Sequence, residues 1–163
     1  MKQLQTIQQK IVQREDLPSR LDESFRATHR IVFTNGCFDI LHLGHASYLA
    51  DARDLGDVLV VGLNTDESVR RIKGKNRPVK DQHTRALLLA SLQVVDLVVL
   101  FGEDTPAELI RLVKPDILAK GGDYRKEEIV GYETVTAYGG KIVTIPFVEG
   151  QSSSSLIQKI EKG

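Results

Sequence analysis

The stretch TNGCFDILHLGH, Thr34 to His45, follows an apolar run, Ile31-Val32-Phe33, and leads into a pattern of helical spacing. It carries a glycine, the chain's one cysteine, an aspartate, and two histidines three apart around Gly44. A turn that only reverses the chain needs no imidazoles. Gly36 lets the backbone approach a ligand closely, and the helix opening near His42 and His45 offers free N–H groups and a partial positive charge. A spacing of three puts both rings on one side of the first helical turn. Three readings are open: the histidines bind a triphosphate and stabilise charge during displacement at phosphorus, they cap and pack the helix, or they hold a metal with Asp39. The position, at the first strand-to-helix turn of an alternating chain, favours the phosphate reading. The metal reading lacks an evident partner set.

Outward from this turn, short apolar runs alternate with helical patterns. Strands are expected at 30–34, 57–63, 96–101, 116–119 and 141–145, and helices at 44–55, 82–92, 105–114, 126–138 and 154–162. Continuous apolar runs such as Val58-Leu59-Val60-Val61 suit strands buried on both faces. Strand-helix alternation with right-handed crossovers gives an α/β, Rossmann-like three-layer α/β/α fold on a five-stranded parallel sheet. Ligands then sit beyond the carboxyl ends of the strands, where the opening stretch lies. Residues 1–28 stand apart: Leu4, Ile7, Ile11 and Val12 recur at helical spacing until Pro18. They are expected to form a helical appendage to a domain spanning 29–163.

The chain has 163 residues, of which 41% are hydrophobic and 27% charged, as for one globular domain. Lys plus Arg equals Asp plus Glu, 22 of each, so no global field favours nucleic acid or a membrane. One cysteine makes no internal disulfide and no multi-cysteine metal cage. Neither a signal-peptide core nor a membrane-length apolar run occurs, so a cytoplasmic location is expected. Neither G-x-x-x-x-G-K-[ST] nor a G-x-G-x-x-G after the first strand is present, which disfavours P-loop NTPase and dinucleotide dehydrogenase chemistry.

The segment GCFDILHLGH resembles the signature of the HxGH nucleotidyltransferases, a superfamily with cytidylyltransferases, pantetheine-phosphate adenylyltransferase and class I tRNA synthetase cores. More narrowly, the chain from about Ile31 to Ile160 is similar to the heptose 1-phosphate adenylyltransferases, or ADP-heptose synthases. FTNGCFDILHLGH, GDVLVVGLNTDESVRRIKG, RPV, EDTPAELI, KPDILAKGGDY and IPFVEGQSSSSLI carry that resemblance in order and spacing. In many bacteria this domain is fused to a sugar kinase; no kinase is present within these residues, which resembles the stand-alone form.

The resemblance implies transfer of AMP from ATP to a heptose 1-phosphate, with release of pyrophosphate and with Mg²⁺ accompanying the ATP. A glycerol-3-phosphate cytidylyltransferase or FAD synthetase-like activity is the alternative. His42, His45 and Lys73 would stabilise the transition state. Gly36, Cys37, Phe38 and Gly44 would bind the nucleotide, Cys37 and Phe38 through backbone N–H groups near the α-phosphate, with the Cys37 side chain a packing group rather than a nucleophile. Lys120, Gly122 and Asp123 would hold the nucleoside, and Tyr124 either stacks or packs. Ser152, Ser153 and Ser154, where the family usually has Ser-Thr-Thr, would cradle the β- and γ-phosphates. From Arg70 to Arg85 there are seven Lys or Arg and one acid, Asp81, and within that run Arg77 and Arg85 are candidates for the acceptor phosphate. No metal-ligating residue is assigned, no nucleic-acid or membrane partner is expected, and related enzymes imply a homodimer.

Overall fold

The computed structural model describes residues 2–122, 124–147 and 157. Asp123, Ser152, Ser153 and Ser154 lie outside the described residues, as does the helix expected over 154–162 except at Ile157.

The chain runs α1 (Lys2–Gln8), β1 (Ile11–Val12), α2 (Leu17–Arg20), α3 (Glu23–Arg26), β2 (Ile31–Gly36), α4 (Leu43–Arg53), β3 (Val58–Asn64), α5 (Asp66–Lys73), α6 (Gln82–Ser91), β4 (Leu97–Phe101), α7 (Ala107–Val113), β5 (Ile117–Gly121), α8 (Tyr132–Ala137) and β6 (Lys141–Ile145). All strand pairs are parallel, in the order β1-β4-β3-β2-β5-β6. The chain enters at the centre with β2, builds outward through β3 and β4, then returns to place β5 on the other side of β2. That reversal opens a crevice at the carboxyl ends of β2 and β5.

The pleat explains the layers. Ile31, Phe33, Val58, Val60 and Val99 face one way, into a core with Leu109, Ile110 and Val113 of α7 and Val135 of α8. Val32, Leu59, Val61, Leu63 and Val98 face the other way, into a core with Leu49 and Ala52 of α4 and Ala86, Leu89 and Ala90 of α6. Every residue of β3 is buried, as a strand covered on both faces requires. The expected three-layer α/β/α fold is therefore present.

The sheet has six strands rather than five, and the sixth corrects the helical reading of the first 28 residues. Helix α1 ends at Gln8, and Ile11 and Val12 pair with Val98 and Val99. Leu4 and Ile7 lie in α1 as their helical spacing implies, and the segment also holds α2 and α3, but Ile11 and Val12, β-branched and beside an unpaired sheet edge, join the ladder instead. The rest of the segment is tied in as well. Val12, Leu17 and Leu21 are buried in the same core as Ile31 and Phe33. Arg26 donates to the carbonyls of Val113 (2.8 Å) and Lys114 (3.0 Å), a cation at the carboxyl end of α7.

Helix α5 was not expected. Its sequence nevertheless carries start and stop signals: the Thr65 hydroxyl accepts from Ser68 N, Asp66 and Glu67 fill the first turn, and Arg70, Arg71 and Lys73 fill the last. The helix expected over 126–138 is shorter, a 3₁₀ turn at Lys126–Glu128 followed by α8, because Gly131 (φ 99°) interrupts it.

Leu17 has no exposed surface. Leu17→Ala should therefore cost about 2–4 kcal/mol in chemical denaturation, the range for a buried leucine. Unchanged stability would mean that residues 2–28 are only an attachment.

Candidate active site

The site forms where β2 hands over to α4. Phe38 takes a left-handed conformation (φ 43°), costly for a residue with a side chain, and turns the chain there. Its ring folds back over Gly36, where an added Cβ would lie 2.9 Å from the ring. Gly36 is thus required by the Phe38 ring, not only by a ligand. The same ring is buried and meets the His45 ring at 5.2 Å, tilted by 60°.

His42 is the N-cap residue of α4, and its extended backbone (φ −144°, ψ 173°) places its carbonyl to accept from His45 N (2.9 Å) and Ala46 N (3.1 Å). Its side chain makes no cap hydrogen bond. The His42 and His45 rings stack at 3.8 Å with Gly44 between them in the first turn. Nδ1 of both rings is buried without a hydrogen-bond partner among the described residues. The His42 side chain therefore does not cap the helix, while both rings do pack, His45 against His42 and Phe38.

Asp39 is occupied elsewhere. It is 1% exposed, and its carboxylate accepts from Val79 N (2.8 and 3.0 Å), Lys80 N (3.0 Å) and Arg77 Nε (2.6 Å). Burial raises its pKa, but those donors outweigh it and hold the carboxyl below its ordinary range. The carboxylate turns toward the basic segment, so the arrangement of Asp39 with the two histidines around a metal does not form. Arg77, one of the two acceptor-phosphate candidates, keeps a buried Nη2 without a partner among the described residues.

The other candidate, Arg85, is placed differently. It has no exposure, and its guanidinium donates to the carbonyls of Lys80 (3.0 Å), Cys37 (2.7 Å) and Asn64 (2.9 Å) and to Asp66 Oδ1 (2.7 Å). The structure does not bring Arg85 to the open side of the site; it fixes the frame behind it. Nothing in a run of basic residues distinguishes the one that turns inward, except its place four residues into a helix capped by Asp81.

Lys73 is exposed at the end of α5, and its charge bears on both Cys37 and His45, opposing positive charge there. Burial raises the Cys37 thiol pKa, as for a packing residue and not a thiolate nucleophile. Lys120 is half-buried on β5, where burial lowers its pKa and Cys37 opposes that shift. Gly122 (φ 105°) follows β5 and donates to Ile145 O (2.9 Å). Two side chains escaped the sequence reading. The hydroxyls of Thr34 and Tyr48 meet at 2.6 Å inside the crevice, where Tyr48 also has a backbone hydrogen bond with Gly121, tying β2, α4 and β5 together. Phe147, 66% exposed, lies against Gly121 and Gly122, where an added Cβ would come within 2.6–2.9 Å of its ring.

The sequence profile of the cytidylyltransferase-like family matches residues 33–159. The bifunctional protein HldE of Helicobacter hepaticus is 53% identical over 158 residues, covering 97% of this chain and 32% of that protein. The chain spans about a third of the length of the curated relatives it matches. A lipopolysaccharide core biosynthesis protein from Thermoplasma volcanium is 33% identical with a TM-score of 0.61, covering 76% of this chain and 99% of that one. A pantoate-beta-alanine ligase from Francisella tularensis shares the fold alone, at 16% identity and a TM-score of 0.63 over 94% of this chain and 79% of its own. Among the described residues, no helix is long and apolar enough to cross a membrane.

Burial disfavours the charged form of both imidazoles. Burial lowers the His42 pKa; burial, then the His42 and Lys73 charges, lower His45 to about 4 despite a backbone hydrogen bond with Ile40. A proton then binds His45 in the unfolded chain near its ordinary value of 6.5 but not in the folded one. Stability from the neutral ring is complete above 6.5 and is lost as pH falls toward 4. His45→Gln should flatten the fall of Tm between about pH 7 and pH 4.5. Parallel Tm–pH curves for variant and wild type would remove His45 from that account.

Proposed function

The chain belongs to the cytidylyltransferase-like family and is a nucleotidyltransferase, and from that premise we propose that it joins a heptose 1-phosphate to the α-phosphorus of ATP, giving ADP-heptose and pyrophosphate. The observation that carries the reading is where the unpaired donors lie. Among the described residues, the buried side-chain nitrogens or oxygens with no partner are His42 Nδ1, His45 Nδ1 and Arg77 Nη2. Buried polar groups are nearly always paired, and such a group is costly. Two of the three lie in one helical turn, and Asp39 joins the third to it. Together they suit a polyanion.

The reaction needs little else. An oxygen of the sugar phosphate attacks the α-phosphorus, a new P–O bond forms, and the bond to the β-phosphate oxygen breaks. Pyrophosphate leaves with that electron pair, and no proton need move. Two polyanions must be brought together, so positioned donors and cations do the work. His42 and His45 donate through their ring N–H groups, joined by the backbone N–H groups of Cys37 and Phe38 and the α4 N-terminus. Lys73 covers the triphosphate from the end of α5, and Arg77 meets the acceptor phosphate. By resemblance, Lys120, Gly122 and Asp123 hold the nucleoside, and Ser152–Ser154 the outer phosphates. Mg²⁺ accompanying the ATP would supply charge neutralisation at the phosphates. Asp39 and Asp66 are already engaged by Arg77 and Arg85, so neither is assigned to hold the ion. A homodimer is the expected assembly.

His42→Ala and His45→Ala should each lower kcat by about 10²–10³ with little change in Tm at neutral pH, as loss of an oxyanion-type donor does. Lys73→Ala should lower kcat/KM far more than Lys80→Ala. The deciding assay measures pyrophosphate and nucleotide-linked product for ATP or CTP, each with heptose 1-phosphate, glycerol 3-phosphate or FMN. Faster product from CTP and glycerol 3-phosphate would overturn the heptose assignment. A normal rate in either histidine variant would overturn the mechanism.

A further inference from the structure

Asp39 spends a nearly unexposed carboxylate on a segment forty residues away in the chain. Its Oδ1 accepts from the amides of Val79 and Lys80, and its Oδ2 from Val79 N and Arg77 Nε. Two backbone amides would suffice to anchor the loop. The fourth contact, 2.6 Å from the guanidinium, does something else. Arg77 is only 13% exposed, with its Nε fixed by Asp39 and its Nη2 unpaired. A guanidinium held at Nε can still present its Nη donors as a rigid edge, the geometry that recognises a phosphate. Asp39 also sits between the left-handed Phe38 and the N-cap His42, so the same residue sets the histidine turn and the arginine relative to each other.

We propose that Asp39 is a positioning residue that aims Arg77 Nη2 at a phosphate monoester beside the His42–His45 turn. Resting on the reading above, that monoester is the acceptor's. Asp39 touches no substrate. Its ion pair with Arg77 converts a flexible cation into an oriented donor and joins the acceptor subsite to the triphosphate turn. Such an arrangement predicts coupling: what Asp39 contributes to acceptor binding vanishes once Arg77 is gone.

The test uses inorganic phosphate as the probe. The full chain is saturated with a non-hydrolysable ATP analogue, so that phosphate titrates only the subsite left open, and affinity is read by calorimetry. Asp39→Asn keeps an oxygen for the amides but loses the charge that orients Arg77. It should weaken phosphate binding about tenfold, as the loss of a charge-assisted contact does, with the analogue's own affinity nearly unchanged. Arg77→Ala should weaken it similarly, and the double variant no further than Arg77→Ala alone. Arg77→Lys keeps the charge but loses the planar fork whose separate edges face Asp39 and a phosphate, so it should behave like Arg77→Ala. Additive losses, near-normal binding by Arg77→Lys, or no phosphate binding by the wild type would each overturn the proposal. So would an Asp39→Asn variant with lowered Tm and intact affinity. If the cycle behaves as expected but heptose 1-phosphate gives no product, the functional reading fails and this inference stands.

Discussion

A guanidinium sealed from solvent ties together the loops that meet at the crevice. Arg85 reaches from α6 to the carbonyl of Cys37 at the end of β2, to that of Asn64 at the end of β3, to Asp66 at the start of α5, and to the carbonyl of Lys80. Loops at the carboxyl edge of a parallel sheet have no ladder to hold them. Here one cation satisfies three carbonyls and one carboxylate, which sets how the Cys37–Phe38 turn faces the segment carrying Arg77. Removing one partner from such a buried network typically costs about 3–5 kcal/mol, because the remainder stays unpaired. The arrangement behind the histidines is rigid, and the donors in front of it are the ones left open.

That division of labour decides which parts of the site were legible in the sequence. The turn itself was readable: an apolar strand, a glycine, two histidines and a helix are local signals, and the histidines stand where spacing put them. The roles of Asp39 and Arg85 were not, because each acts on a partner about forty residues or more away in the chain. A carboxylate beside two histidines suggests a metal ligand until the amides of Val79 and Lys80 are seen to claim it. An arginine in a run of seven basic residues reads as a candidate for the acceptor phosphate until the fold turns it inward. At the level of elements, β3 and β4 were legible as continuous apolar runs. The strand at Ile11–Val12 was not, since it exists only because β4 has an edge to cover.

The electrostatics of the turn favour an arriving anion. Charges from Lys73, Arg77 and Arg85 bear on Cys37, and those of Lys73 and His42 on His45, each disfavouring further positive charge. Burial disfavours the charged form of both rings, which suits two imidazoles stacked 3.8 Å apart in such a field. A bound polyphosphate reverses the balance by stabilising positive charge on the rings. Protonation and anion binding are therefore linked, and polyanion affinity should rise as pH falls toward the range in which the rings can take up a proton. The two large cores on either side of the sheet supply the stability against which these unpaired donors are held.

The two-residue strand at Ile11–Val12 has a meaning beyond the count of strands. Open sheets end in rows of unpaired amides and carbonyls, which template association with other chains. At the β4 margin that row is closed by Ile11 and Val12 with Lys10, whose carbonyl accepts from Val98 N (2.8 Å) and whose ammonium reaches the carbonyls of Leu92 (3.3 Å) and Val95 (2.7 Å). The cover is too short to offer a long new edge of its own, and the lysine beside it places charge where another strand would dock. The N-terminal segment thus acts as a guard on colloidal behaviour: a chain deprived of it would expose the β-branched run Val98-Val99 to self-association, however intact its chemistry remained.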